Sequence, residues 1–221
     1  MKRILIAISV FCITTISYGQ KISDIHFENK PLVLKSVGSF YVGGESEVQT
    51  KTEMGGFFPE GHVTVNQMYV NFMVPQQLKD STSFVFIHGI TLSGKTYETT
   101  PDGRMGWNEY FVRKGYATYV VDQVGIGRSG FNQKKYNKVR NKEIEPAQEP
   151  TIIRISDENT KVNFRFATAD DKPVADTKFP QEALSEFSKQ SVPFTAGTVP
   201  NPIQILKTFQ RLQSVLKKLY W

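Results

Sequence analysis

Cysteine is all but missing from this chain. Cys12 is the single one in 221 residues, and it falls inside a predicted leader. The remainder forms no disulfide, offers no thiol nucleophile and binds no metal through sulfur. Histidine is scarce too: only His26, His62 and His88 occur, and no grouping of them with acidic residues suggests a metal site or any cofactor. Long apolar runs are also lacking. The longest, Ile4 to Ile13, is too short to span a bilayer well. Nor is charge gathered in one stripe. The net charge is +6, and the densest basic groups are Lys134, Lys135, Lys138, Arg140 and Lys142, then Lys207, Arg211, Lys217 and Lys218. Without interleaved aromatics on a concentrated face, these predict a solvated loop and the polar side of a helix rather than a nucleic-acid surface. No internal repeat is present, and nothing in the sequence sets an oligomeric state.

What is present is ordinary globular composition, 39% hydrophobic and 22% charged, in a length that suits one domain. Lys2 and Arg3, the apolar run, and Ser17-Tyr18-Gly19 before Gln20 together have the layout of a secretory signal cut after Gly19. The expected organisation is a signal over 1–19, a polar lead-in over 20–37, and a domain over 38–221 with an insertion over 131–180. Export to a periplasm or the medium follows, with no membrane span after cleavage.

Within the domain, Gly38 to Val42 predicts a short strand closed by a turn at Gly43-Gly44. Val63 to Val74 alternates, is rich in β-formers and stops at Pro75, so it predicts an antiparallel partner for that strand. Ser83-Phe84-Val85-Phe86-Ile87 is a continuous apolar run, as expected of a strand covered on both faces in a parallel sheet. A Gly- and Thr-rich loop leads to a helix over about 106–114, with Trp107, Tyr110 and Phe111 on one side and Gly115 ending it. Tyr116 to Val121 is a second apolar strand. Strand, loop, helix, strand predicts a right-handed crossover, hence an α/β fold with a mainly parallel sheet and flanking helices.

Further on, Thr151–Ser156 and Val162–Phe166 predict a hairpin, and Gln181–Gln190 a short helix. The tail predicts a helix capped by Asn201 with Pro202 in its first turn. Its apolar face comprises Ile205, Leu206, Phe209, Leu212, Leu216 and Leu219.

Two loops carry the chemistry. Phe86-Ile87-His88-Gly89 leaves the buried strand through a tight turn. Such a turn can aim backbone N–H groups at a developing oxyanion, which makes Gly89 and Ile90 the candidate donors. His88 is read as a structural histidine bonding its own loop rather than as a base. The second loop is Asp122-Gln123-Val124-Gly125-Ile126-Gly127-Arg128-Ser129. Gly125, Gly127 and Gly130 match a dinucleotide spacing, but Phe131-Asn132-Gln133-Lys134-Lys135 is a poor opening for the helix that motif needs. Asp122 is read as capping the turn. Glu98, Asp102 and Arg104 are read as ordering their own loop. Tyr97 and Trp107 are candidate substrate-binding residues, weighed against simple packing of the helix on the sheet.

Together these loops resemble the α/β-hydrolase superfamily: His-Gly after the third strand, then Asp-x-x-Gly-x-Gly-x-Ser after the fourth. The chain resembles, more closely, a subfamily of bacterial secreted esterases over roughly 38–205. The stretches that carry it include Gly38-Ser39-Phe40-Tyr41-Val42-Gly43-Gly44, Tyr97-Glu98-Thr99-Thr100-Pro101-Asp102-Gly103-Arg104-Met105-Gly106-Trp107, and Phe179-Pro180-Gln181-Glu182-Ala183-Leu184. The resemblance implies a serine nucleophile on an elbow after a fifth strand, then an acid and a late histidine, acting on a small-molecule ester. None of these maps onto this chain. No Gly-x-Ser-x-Gly occurs, Ser129 belongs to the fourth-strand turn, and all three histidines come too early.

Two explanations stand beside each other: a hydrolase N-terminal half truncated before its nucleophile and inactive as written, or a non-catalytic secreted binding protein on a degenerate hydrolase fold. Truncation is favoured because strand 83–87 and the tail helix would otherwise have too little to bury against. Peptidase or dehalogenase chemistry remains open within the superfamily, because the nucleophile decides it.

Overall fold

The computed structural model describes residues 21–26, 30–196 and 202–219. The predicted leader over 1–19 and the predicted cap Asn201 lie outside these residues.

Two long strands, β1 (Leu34–Gln49) and β2 (Gly61–Pro75), pair antiparallel with Phe40 opposite Val70 and Val42 opposite Met68. The expected turn at Gly43-Gly44 does not form. The pairing runs on through Gly43 opposite Gln67 and Glu45 opposite Val65. Gly43, Gly44 and Asn66 all take positive φ, at 76°, 92° and 61°. The glycines therefore distort the strand without ending it, because an unbroken partner strand holds both sides of the distortion.

Three shorter elements complete the crossover: β3 (Ser83–Ile87), α1 (Trp107–Arg113) and β4 (Ala117–Asp122). β3 lies parallel to β4, with Ser83 opposite Ala117 and Ile87 opposite Val121. β4 in turn lies antiparallel to β2, which gives the order β1-β2-β4-β3. The architecture is α/β, but the expectation of a mainly parallel sheet needs correction. Among the described residues only the β3–β4 pairing is parallel, because the long β1–β2 hairpin enters the sheet antiparallel.

β4 is the buried centre of the sheet, every residue of it inaccessible. β3 is an edge strand, so the expectation that both its faces are covered is also corrected. Phe84 and Phe86 face α1 and the 3-10 turn Gly94–Tyr97, Phe84 meeting Phe111 at 4.2 Å and Phe86 meeting Tyr97 at 4.9 Å between ring centroids. Val85 and Ile87 point the other way and stay 36% and 44% exposed. The face that α1 buries is not the expected aromatic one either. Trp107 and Tyr110 are exposed, and the helix is seated by Asn108, Phe111 and Val112. Thr118 of β4 donates to the Asn108 side chain at 2.5 Å. Gly115, at φ 87°, closes the helix as predicted.

The opposite face of the sheet is covered by the tail helix. Between the two come α2 (Lys134–Arg140), β5 (Thr151–Ile153), α3 (Asp157–Asn163), α4 (Leu184–Lys189) and β6 (Phe194–Ala196), then α5 (Pro202–Leu219). Leu212 and Leu216 of α5 are buried with Val42, Met68, Val70, Tyr119 and Val121, and Phe209 packs against that cluster. The tail helix therefore has ample surface to bury against, contrary to expectation, because β1, β2 and β4 supply it. Leu206 does not join the apolar face: it is exposed, while Thr208 is buried against Gly43. The side chains of Ile205 and Leu219 lie outside those described.

The predicted hairpin over 151–166 is replaced by other pairings. β5 pairs antiparallel with β6, and Asp157–Asn163 is helical, with the Ser156 hydroxyl accepting the Asn159 amide at 3.2 Å. Ser followed by two acidic residues is a helix start, and that local capping outweighs the turn-like composition. Gln181–Ala183 forms a 3-10 turn that runs into α4, matching the short helix expected there. Among the described residues no helix is long and apolar enough to cross a membrane.

Candidate active site

The parallel strands β3 and β4 end side by side, so the loops that follow them are forced together at one rim of the sheet. His88, the first residue after β3, is buried. Its Nε2 accepts the backbone N–H of Gln123 at 3.0 Å, and its Nδ1 lies 2.8 Å from the Gly89 carbonyl. Accepting at Nε2 and facing an acceptor at Nδ1 fixes one tautomer, the neutral ring with its proton on Nδ1. Burial holds the imidazole pKa below its ordinary value, reinforcing the neutral form. The Gln123 side chain also donates to the His88 carbonyl at 2.7 Å. His88 is thus the pin between the two loops.

Asp122, at the end of β4, is 1% exposed. Its carboxylate accepts the Gly94 amide at 2.6 Å, the Arg128 amide at 2.8 Å and the Arg128 guanidinium at 2.7 Å. Burial alone would raise its pKa. The donors from Arg128 and Gly94 outweigh burial, and the carboxyl sits below its usual value. A Cβ on Gly94 would lie 2.7 Å from Val120 and 2.9 Å from Asp122, which is why glycine stands there. Arg128 also stacks over Tyr69 at 4.1 Å. The Ser129 hydroxyl donates to the Asp122 carbonyl at 2.5 Å and accepts the Tyr69 amide at 2.8 Å, so it is committed to the turn. The glycines 125, 127 and 130 lead into a 3-10 turn at Gly127–Ser129 rather than a helix, which leaves no helix N-terminus for a pyrophosphate.

Gly89 and Ile90 follow the pin and are exposed, Ile90 at 69%. Among the described residues their amides donate to no protein acceptor. Ile90 lies on the rim of a cavity of about 500 Å³ walled by Val124, Ile126, Phe131 and Phe194, with Gln123, Asn132, Lys134 and Lys135 at its polar side. Residue order does not announce this enclosure, because Phe194 arrives from far along the chain on β6. Phe131, 55% exposed directly after Gly130, is the one wall residue with a local signal: an apolar ring in an otherwise polar stretch.

The other two candidates lie elsewhere. The Tyr97 hydroxyl donates to the Ile87 carbonyl at 2.5 Å and its ring stacks on Phe86. Burial raises the Tyr97 pKa. Trp107 is 62% exposed and, with Met105, Tyr110 and Phe111, lines a shallow depression on the α1 side. Neither residue lines the large cavity. The Glu98-to-Arg104 loop is held mainly by its own groups, with Arg104 on Asp102 at 2.6 Å, while Glu98 reaches Arg128 at 3.8 Å. Among the described residues no cluster of His, Cys, Asp and Glu could hold a metal ion.

No family model matches the chain. A curated relative, the probable secreted lipase phiG of Fungal sp. (strain ATCC 74256), is 37% identical over 90 residues, which are 41% of this chain and 20% of the relative. The solved structure of a novel bacterial esterase superposes with a TM-score of 0.80 at 38% identity, covering 86% of this chain and 60% of that one. The chain therefore spans less than two thirds of either protein.

Proposed function

We propose that these residues form the oxyanion side of a secreted serine carboxylic-ester hydrolase of the α/β-hydrolase type. The observation that carries the reading is the pair of uncommitted amides, Gly89 and Ile90, at the carboxyl end of β3 beside an apolar cavity. Attack on an ester carbonyl converts it to a tetrahedral oxyanion. Backbone donors already aimed at that point stabilise the charge without reorganising. The neutral His88 and the ion-paired Asp122 are spent on holding the donor loop, so neither is the base in this reading. Tyr97 positions the exit of β3 through Ile87, and Trp107 is retained only as an outer substrate contact. The ester chemistry requires no cofactor. Secretion rests on the leader over 1–19 and on the secreted lipase relative.

On this reading the nucleophile and its base come from chain that is not among these 221 residues. Support comes from the outer edge of β3, where Val85 and Ile87 face a groove shared with Phe209, Leu212 and Leu216 of α5. Among the described residues that edge pairs with no further strand, and an open edge can accept one. The experiment is fluorophosphonate labelling combined with p-nitrophenyl acetate turnover. The present chain should show neither. A longer chain that adds the missing strands should show both, and Ile90→Pro, which deletes one amide donor, should lower its kcat about 100-fold with little change in KM. A serine labelled in the present chain would refute the account. Failure of the longer chain to label would favour a non-catalytic binding protein.

A further inference from the structure

Five non-glycine residues take positive φ among the described residues: Asn66, Thr91, Lys142, Arg165 and Asp171. Asn and Asp tolerate that backbone. Lys142 and Arg165 sit just past the ends of α2 and α3, where helices ordinarily close left-handed. Thr91, at φ 64°, is of neither kind: its β-branched side chain is strained in this region. It directly follows the two candidate donors, Gly89 and Ile90.

The Leu92 amide returns to the Gly89 carbonyl at 3.3 Å, which makes Gly89–Leu92 a tight turn with Ile90 and Thr91 at its centre. Positive φ at the second central position alone is the type II pattern, and glycine usually stands there. The peptides flanking that centre are tied. The Gly89 carbonyl accepts Leu92 and faces Nδ1 of His88 at 2.8 Å, and the Thr91 carbonyl accepts the Val192 amide at 2.8 Å. The central peptide is tied by nothing. Among the described residues neither the Ile90 carbonyl nor the Thr91 amide has a hydrogen-bond partner.

Rotating that one peptide by about half a turn would convert the turn to type I and give Thr91 an ordinary negative φ. The rotation would break no hydrogen bond within the described residues. The present setting is therefore strained without an internal reward. Thr91 is also only 5% exposed, and an amide so enclosed needs an acceptor.

We propose that the Thr91 amide is a further oxyanion donor, extending Gly89 and Ile90 to a run of three, and that its left-handed backbone is what aims it. The inference rests on the oxyanion reading of this loop. It adds a donor already set before charge develops, which is where such donors are most effective. The rotated peptide would put the Ile90 carbonyl in place of the Thr91 N–H, and a carbonyl oxygen repels an oxyanion. The strained setting is the competent one.

The test follows the backbone amide signals of the isotope-labelled 221-residue protein during titration with hexanoate. Its carboxylate stands in for the oxyanion, and its chain suits the apolar cavity beside Ile90. The Gly89, Ile90 and Thr91 amides should shift together with one dissociation constant. The amide–Hα cross-peak within Thr91 should be strong with and without hexanoate, because positive φ brings those two protons close. Shifts at Gly89 and Ile90 without Thr91 would overturn this inference and leave the oxyanion reading standing. No shift at any of the three would remove both. A weak cross-peak in the free protein would also sink the proposal, since the backbone would not be left-handed. Replacing the Ile90–Thr91 amide by an ester deletes the N–H and keeps both side chains. Hexanoate affinity should then fall about tenfold or more, with no change in the thermal melt because no described group accepts that N–H. Unchanged affinity, or a destabilised ester variant, would count against the donor role.

Discussion

Gln123 grips His88 twice, its backbone amide on Nε2 at 3.0 Å and its side-chain amide on the carbonyl at 2.7 Å. The two strand-end loops are thereby locked in register by one residue pair 35 positions apart.

His88→Ala should remove that lock. It leaves the Gln123 N–H without its acceptor in a buried place and opens a small void, at a cost of about 2–4 kcal/mol. Urea denaturation at pH 7.5 measures it.

The same ring makes a pH prediction. Its folded pKa lies below the unfolded value of 6.5, so the unfolded chain binds the proton more readily. Stability is full above that value and falls as acid is added through it toward the lower folded pKa. His88→Gln should flatten this part of the urea-midpoint profile. An unchanged slope would mean the ring is not held neutral.

Asp122→Asn removes the charge that faces Arg128 while keeping the shape. It should cost about 3 kcal/mol, the low end for a buried pair because the Arg128 side chain is 38% exposed. The Asp122 pKa is lowered, so its contribution is present above the unfolded value of 3.8 and disappears as pH falls through the folded one. Parent and variant should therefore converge in strong acid, as followed by circular dichroism.

Glu53→Gln follows the same sign. The carboxyl is held at about 2, below an ordinary 4.5. Burial opposes that shift, and the Thr50 amide, Lys138 and Lys134 outweigh it. The variant should be about 2 kcal/mol less stable at pH 7, with the difference closing between those two pH values. Melting temperatures of both proteins at pH 7 and pH 2.5 decide it.

Gly106→Ala should be the most damaging single methyl. A Cβ there would overlap the Glu98 carbonyl group, whereas one on Gly89 meets nothing within 4 Å. Gly106→Ala should lose at least about 3 kcal/mol and Gly89→Ala almost none. Equal melting temperatures for the two would contradict the packing of this loop.

Much of this was legible from the residues themselves. The crossover, the helix stop at Gly115 and the structural roles of His88, Asp122 and Ser129 follow from short-range chemistry at strand ends. What misled was context that a local window cannot carry. Gly43-Gly44 reads as a turn, yet β2 pairs on both sides of it and keeps the strand going. The run at 83–87 reads as buried throughout, yet its neighbours cover only the Phe84 and Phe86 face. Thr151–Ser156 and Val162–Phe166 read as a hairpin across Asp157-Glu158-Asn159-Thr160, yet Ser156 caps a helix over Asp157–Asn163. The cavity wall at Phe194 depends on a pairing between β5 and β6 that no local pattern encodes.

The cavity is built from unequal materials. Its floor belongs to loops cross-braced by His88, Asp122 and the close-fitting Gly94, and a methyl added at Gly94 collides with Val120 and Asp122. Its far wall hangs on three residue pairs between β5 and β6, the Val192 amide on the Thr91 carbonyl, and the Tyr136 hydroxyl on Thr195. A guest of awkward length meets a fixed seat and a compliant backrest. Divergence in what is accommodated should accumulate around Phe194 rather than at the tightly enclosed Gly94.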